Sequence, residues 1–458
     1  MESGSLLKTF SKYVSLTIVG LISSTIVILV DYIFVAQAMG QDGLAALSLV
    51  TPVYTIVLGF GMILGIGGGA KYAEYAAKGE QEEANKYFTL SVKLGIVFSV
   101  FLMLAGLFFT IPITRLVGAE GYLVYLAADY VRVALLGSPI FLLYFMLLSF
   151  ERNDNSPKVA MVVGLIATIG NIILDYIFII VLDLGTGGVV GATLVAIVCS
   201  LLFLWIYRLR HKANYALVRT RFVFSKIRII CAVGGPFLLN VTVYAFLIIT
   251  FNLTLLRLVG EVGVAAFGII TMMTFVVQQF FEGVGQGMQP IASYCYGKGY
   301  SNDLKKLVRY AVSTNTLFAI IAISMTFLFA DNVIAFFNPE GLAELTNLSG
   351  QGMRIYFLAL AFFGITVVAV SFLSVTSSPT FGLVVSILQG GGIAIPLVLL
   401  MSRIFGVTGV WATYPLAEFV LSIVSVIFLV RANRIHQKVF TSEKRWNYTP
   451  NSQKPMVR

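Results

Sequence analysis

The chain has 458 residues, 58% of them apolar and 11% charged, with a mean hydropathy of +0.92 and a net charge of +10. A water-soluble fold of this size carries roughly 25% charged residues, so the composition excludes a soluble globular protein and requires lipid as solvent. The apolar runs are about 20–25 residues long, which is a helical crossing rather than a ten-residue barrel strand, and the expected fold class is an all-α polytopic membrane protein.

In chain order the first half carries apolar spans at about 11–36, 46–72, 88–112, 122–149, 157–181 and 188–207. The second half carries them at about 228–256, 263–291, 308–330, 351–374, 380–401 and 407–430. The first span starts too late and runs too long for a cleaved signal peptide and is expected to stay as a helix. Twelve spans put both termini on one side. The loops on that side hold 25 of the 31 Lys and Arg residues, led by Arg208, Arg210, Lys212, Arg219, Arg221, Lys226 and Arg228. The positive-inside rule then places both termini in the cytoplasm of a multi-pass inner-membrane protein. The basic balance is topology rather than a nucleic-acid footprint, and no nucleic-acid partner is expected.

The halves are related in sequence. With Gly40 placed on Gly260, the 47 pairs from 40 to 86 contain 12 identities, among them Gly65 with Gly285, Gly67 with Gly287 and Lys78-Gly79 with Lys298-Gly299. Further on, Asn155-Ser156-Pro157 meets Ser377-Ser378-Pro379, and Gly188 and Gly191 pair with Gly406 and Gly409. Six spans per half keep the orientation, so the repeats are parallel: two pseudo-symmetric six-helix bundles, with a substrate site expected between them. The expected domains are an N-terminal bundle at 1–207, a cytoplasmic linker at 208–228, a C-terminal bundle at 229–435 and a polar cytoplasmic tail at 436–458.

Three acids stand clearly inside apolar spans: Asp31, Asp175 and Glu282. A bare charge at bilayer depth costs about 2.5–3.5 kcal/mol or more, so each must face a cavity, be protonated or hold a cation. Asp31 shares a stripe with Thr17 and Ser24 at seven-residue steps, and Asp175 has Asn171 and Thr168 below it on one helix face. At about 1.5 Å per residue Asp175 rises about 27 Å above Pro157, and Asp31 and Thr193 reach similar heights. Two close carboxylates raise one another's proton affinity, so such a layer binds a proton or, with enough oxygen ligands, Na⁺. The alternative for both acids is helix capping or a backbone hydrogen bond. The second half lacks the aspartates. It carries instead the stripe Gln278, Glu282, Gln286 and Gln289, opposite apolar mates in the first half, which suits either a cavity wall or interhelical hydrogen bonding.

The repeated small-residue turns, the loops Lys78-Gly-Glu-Gln-Glu-Glu-Ala84 and Lys298-Gly-Tyr-Ser-Asn-Asp-Leu304, and Phe150-Glu-Arg-Asn-Asp-Asn-Ser-Pro-Lys158 resemble the multidrug and toxic compound extrusion (MATE) family. The phrase Gly285-Gln-Gly-Met-Gln-Pro-Ile-Ala-Ser-Tyr-Cys-Tyr-Gly297 is similar to its bacterial DinF/MepA-like branch. The resemblance covers about residues 5–435. It implies a secondary multidrug antiporter, exporting cationic aromatic drugs in exchange for H⁺ or Na⁺, with Asp31, Asn171, Asp175 and Thr193 as the coupling-ion site. It also makes Glu282 the charge partner of the substrate, with Gln278 and Gln286 beside it.

The remaining signals are bland. Cys199, Cys231 and Cys295 show no metal or disulfide spacing. His211 and His436 lie in basic polar segments. Gly59-Phe60-Gly61 and Gly65-Ile66-Gly67-Gly68-Gly69 lie in an apolar span without the lysine of a phosphate loop, so they indicate close helix packing. Pro139, Pro236, Pro290 and Pro396 are candidate bends. Neither an enzyme nor an organic cofactor is expected, and a monomer in the lipid bilayer is. The competing function is a lipid-linked precursor flippase of the same superfamily, which would want basic residues in the cavity.

Overall fold

The computed structural model describes residues 3–117, 119, 121–338, 342–376 and 379–447; most of these are helical and there is no strand among them. We number the crossings α1 Leu6–Gly40, α2 Leu49–Lys78, α3 Gln81–Phe108, α4 Leu123–Leu136 with Ser138–Asn153, α5 Pro157–Val181 and α6 Gly185–Arg210. The second half has α7 Phe224–Gly260, α8 Val262–Gly297, α9 Ser301–Phe337 and α10 Ala343–Val375. The last apolar helix, Thr380–Ala432, has 53 residues, and its backbone leaves the helical region at Gly406. At about 1.5 Å per residue it is more than twice a bilayer in length, so it makes two crossings, α11 (380–405) and α12 (407–432). The twelve-helix, two-bundle layout follows.

Four of the breaks between successive crossings, two in each half, share one device. The pattern is a glycine with positive φ, then a second glycine three residues later. Gly40, Gly185, Gly260 and Gly406 have φ of 58°, 61°, 70° and 56°, which only glycine adopts readily. A Cβ on the second glycine would strike the preceding helix: 2.4 Å from Met39 Cβ at Gly43, 2.8 Å from Leu184 Cβ at Gly188, 2.3 Å from Val259 Cγ2 at Gly263 and 2.1 Å from the Met401 carbonyl at Gly409. The Gly40–Gly260 pairing is thus seen in the backbone. The later pairing shifts by three residues: Gly406 corresponds to Gly185 and Gly409 to Gly188, because the turn geometry, and not the glycine count, sets the register. Of the candidate prolines, Pro139 stands at the 55° bend of α4. Pro396 follows a π-helical turn at Leu388–Gly392, and Pro236 and Pro290 lie inside unbroken helix.

Each half has its own apolar core. Val53, Leu94, Phe141 and Ile197 belong to the first, and Phe251, Phe267, Phe363 and Trp411 to the second. Outward-facing side chains such as Phe101, Phe108 and Leu328 are more than half exposed, the surface that lipid must cover. A third cluster joins the halves at the end where the chain begins. Leu6, Phe10, Tyr13 and Val14 of α1 pack there on Met288, Ile291 and Cys295 of α8. Glycines bring the backbones together: a Cβ on Gly287 would lie 2.8 Å from Val14 Cα, and one on Gly67 would lie 2.1 Å from the Ile230 carbonyl. Gly67 and Gly287 are repeat mates, so the seal is built twice, α8 on α1 and α2 on α7.

Residues 211–223, between α6 and α7, run as a non-helical strap over the first half. Asp154 accepts from the Asn214 N–H at 2.9 Å, Asn85 Oδ1 from the Ala216 N–H at 3.2 Å and Thr89 Oγ1 from the Val218 N–H at 3.0 Å. Lys93 Nζ donates to the Thr220 carbonyl at 2.6 Å. Asn85, Thr89 and Lys93 form one stripe of α3 at four-residue steps, and it meets every second residue of an extended chain. Arg208 and Tyr215 close on Glu151, and Lys226 on Glu83. Partial burial, with the Glu151 carboxylate beside it, pushes the Tyr215 hydroxyl above its usual range.

Candidate functional site

The four residues assigned to an ion site come together inside the first bundle. Asp175 and Asn171 are buried at 0% and 2% exposure, one turn apart on α5. Asn171 Nδ2 donates to Thr193 Oγ1 on α6 at 3.1 Å, and Thr193 donates to the Val189 carbonyl at 3.1 Å. Asp31, half-buried on α1, faces Asp175 closely enough for the two carboxyl groups to act directly on each other. Immediately after Asp175, α5 takes a π-helical turn, Tyr176–Val181. The extra residue in that turn changes the phase of the helix face beyond the carboxylate.

What distinguishes this layer is the state of its oxygens. Asp31 Oδ1, Asn171 Oδ1 and both Asp175 oxygens are buried and accept no hydrogen bond. None of these acids has an ion-pair partner among the described residues. Buried polar atoms are normally satisfied, so four converging orphan acceptors, with the Thr193 hydroxyl alongside, are a donor set suited to a proton or a small hard cation. No cluster of three His, Cys, Asp or Glu side chains exists among the described residues, so a transition-metal site has no support. Helix capping does not explain the aspartates, since both lie inside their helices, far from an N-terminal turn. Of the stripe proposed for Asp31, Thr17 donates to its own helix at the Tyr13 carbonyl, and the Ser24 side chain lies outside the described residues.

Two residues of this layer escaped sequence analysis. Tyr54 of α2 and Tyr130 of α4 lie near enough to Asp31 for its charge to bear on their hydroxyls. Nothing marks them among 21 tyrosines.

Between the halves is a narrow cavity of about 50 Å³. Glu282, Gln286 and Gln289 of α8 line it, opposite Ile66 of α2, the repeat mate of Gln286. Gln278 does not; its amide donates to Tyr414 Oη at 3.1 Å within the second bundle. The stripe therefore divides, with one end holding the bundle together and the other facing the cavity. Glu282 is the one charged side chain in the lining, and no basic one is present among the described residues. A drug-sized ligand needs about 300 Å³ or more, so the cavity admits water in this state and a drug only when the halves part.

A further buried acid, Glu418 on α12, stands outside the three acids singled out from the sequence. It is 2% exposed, with Oε2 at hydrogen-bond distance, 3.0 Å, from Thr366 Oγ1. The visible signal is the helical spacing of Tyr414, Glu418, Ser422 and Ser425.

The family described as MatE matches residues 17–177 and 236–400, one stretch in each half. The "Multidrug export protein MepA" of Staphylococcus aureus (strain NCTC 8325 / PS 47) is 26% identical over 423 residues, 90% of this chain and 91% of that protein. Two solved structures share the fold at 21% identity. "Crystal structure of MATE in complex with MaL6" has a TM-score of 0.89 and covers 96% of this chain and 100% of its own. "Outward-facing conformation of a multidrug resistance MATE family transporter of the MOP superfamily" also has a TM-score of 0.89, covering 96% of this chain and 99% of its own. Paired bundles, a cavity between them and a match in both halves have one conclusion: the chain belongs to the MatE family of multidrug efflux transporters, which are multi-pass membrane carriers and not enzymes.

Proposed function

We propose that the protein is a cation-driven antiporter, exporting cationic aromatic compounds in exchange for H⁺ or Na⁺. The observation that carries the reading is the set of four orphan oxygens on Asp31, Asn171 and Asp175 at bilayer depth. Two carboxylates there cannot both remain charged without a partner at acceptable cost, so the ion to be exchanged supplies the missing charge. Thr193 orients Asn171 through their hydrogen bond.

Glu282 gives the cavity its sign. A lipophilic cation entering beside it gains an opposite charge in a low-dielectric wall, with Gln286 next to it and aromatic rings nearby for cation–π contact. The lining carries an acid and no base, which disfavours a pyrophosphate-bearing lipid as cargo. The basic loops support a topology with both termini on the cytoplasmic side of a bacterial inner membrane; in that topology the glycine-built seal closes the cavity to the cytoplasm. Binding at the aspartate layer must differ in strength between this state and the one open to the cytoplasm, because only differential binding shifts such an equilibrium.

The test is ethidium efflux by purified protein in lipid vesicles, with proton and sodium gradients imposed separately. Drug movement driven by one or both supports the reading. Movement that ignores both gradients overturns it.

A further inference from the structure

The second bundle contains an acid that the transport reading leaves without a task. Glu418 lies on α12 at 2% exposure. No cation pairs with it among the described residues. The titratable groups on which its charge bears are tyrosines, Tyr356 of α10 and Tyr414 one turn before it, stacked at 4.5 Å between ring centroids, with Tyr244 of α7 beside those two rings. From α11 the neutral amide of Gln389 reaches its neighbour Thr366. A lone carboxylate so enclosed is costly, so in this state the group is the neutral acid.

Its connection to the cavity is specific. Gln389, which lines the cavity, donates from Nε2 to Thr366 Oγ1 at 2.8 Å. Thr366, fully buried, stands 3.0 Å from Glu418 Oε2 and 2.8 Å from the Phe363 carbonyl. A hydroxyl has one hydrogen and cannot serve both acceptors. Two arrangements satisfy all the groups. With Glu418 protonated, its O–H donates to Thr366 Oγ1, whose own hydrogen goes to Phe363. With Glu418 ionised, the Thr366 hydrogen turns to the carboxylate. Gln389 holds the Thr366 oxygen in place in both.

We propose that Glu418 is a proton-binding site of the second bundle, linked to occupation of the cavity through Thr366 and Gln389. The inference rests on the cation-export reading. A lipophilic cation in the cavity favours the ionised acid. The O–H bond of the acid then breaks, the electron pair stays on the carboxylate, and the proton leaves on a cavity water. Drug entry thereby discharges a proton that the aspartate layer does not hold.

The experiment uses the full chain in lipid nanodiscs, with tetraphenylphosphonium as the probe. Proton release into weak buffer is followed by a pH dye, and the protonated carboxyl band by infrared difference spectroscopy. The parent should release protons and lose carboxyl absorbance on binding the probe. Asp31→Asn with Asp175→Asn should retain part of that release, and Glu418→Gln should lose that part. Thr366→Val and Gln389→Leu keep the acid and serve should Glu418→Gln fail to fold; each should shift the pH profile of release and move the carboxyl band. The inference is overturned if Glu418→Gln binds the probe with parental proton release, or if both relay variants keep the parental profile and band. If the parent binds no probe at all, the export reading fails and this one with it. If only the aspartate variants lose release, the export reading stands and this one falls.

Discussion

The two bundles share a backbone plan and differ in how they treat buried oxygen. In the first, the carboxylates and the amide on α1 and α5 are left with four unsatisfied acceptors. In the second, Glu418, Thr366, Gln389, Gln278 and Tyr414 meet one another at ordinary hydrogen-bond distances. The repeat mates of the aspartates are apolar, Phe251 for Asp31 and, in the corrected register, Pro396 for Asp175 in place of Ile393. One backbone plan thus carries two different polar layers, one with unpaired carboxylate oxygens and the other hydrogen-bonded within itself. Polar count does not separate the two; among the described residues the buried carboxylate oxygens left unpaired are those of Asp31 and Asp175, both in the first bundle.

The strongest way to break this comparison is to fill the open site. Asp31→Asn or Asp175→Asn replaces an acceptor that wants a cation with an amide that does not. Gradient-driven efflux in vesicles should fall to background while drug binding persists. Parental pumping by Asp31→Asn protein would place the coupling site elsewhere. Next in size is the seal that both bundles share. Gly67→Ala places a Cβ against the Ile230 carbonyl, and overpacking of this kind costs about 1–3 kcal/mol. That is enough to depopulate the sealed state by about fivefold or more, read as increased thiol labelling of a cysteine at Ser293. Unchanged labelling would show that the seal tolerates the methyl.

Glu282→Gln tests the cavity between the bundles. Efflux of cationic dyes should weaken by about tenfold, the equivalent of 1.4 kcal/mol, with neutral dyes much less affected. Equal losses would remove Glu282 from charge recognition. Smaller again is the support around the aspartates. Asn171→Ala and Thr193→Ala each remove a neutral hydrogen bond of about 1 kcal/mol, so the ion concentration for half-maximal efflux should rise about fivefold with the maximal rate retained. The smallest effect is expected from Asn85→Ala with Thr89→Ala, which releases the strap backbone at two points without touching either site. Efflux near the parental rate is the expected outcome, and its collapse would give the strap a direct part in transport.

Much of this arrangement is visible in the residues alone, for identifiable reasons. Spans are set by hydropathy, which a bilayer enforces on every helix. The turn at Gly40 and Gly260 is legible because one residue type tolerates that backbone. The aspartate layer is legible because acids in apolar spans are few and rise per residue converts spacing into height. Glu418 is hidden by its neighbours, since one acid barely alters the average of a 53-residue apolar helix. Tyr54 and Tyr130 are hidden by abundance. The strap is partly hidden for a deeper reason: Asn85 and Thr89 bind main-chain N–H groups, which every residue but proline carries, so Ala216 and Val218 hold no trace of the docking.

That docking sets a mechanical limit. With Thr220 held by Lys93 and α7 beginning at Phe224, the free leash between the bundles is residues 221–223, about 14 Å from Thr220 to Phe224 even when fully extended. The Lys226–Glu83 ion pair and the close approach of Gly67 to Ile230 fasten the start of α7 to the same corner. Any opening at this end is therefore a rotation about a fastened edge, like a book turning on its spine, and the widest gap must form on the side away from α7, where α1 parts from α8.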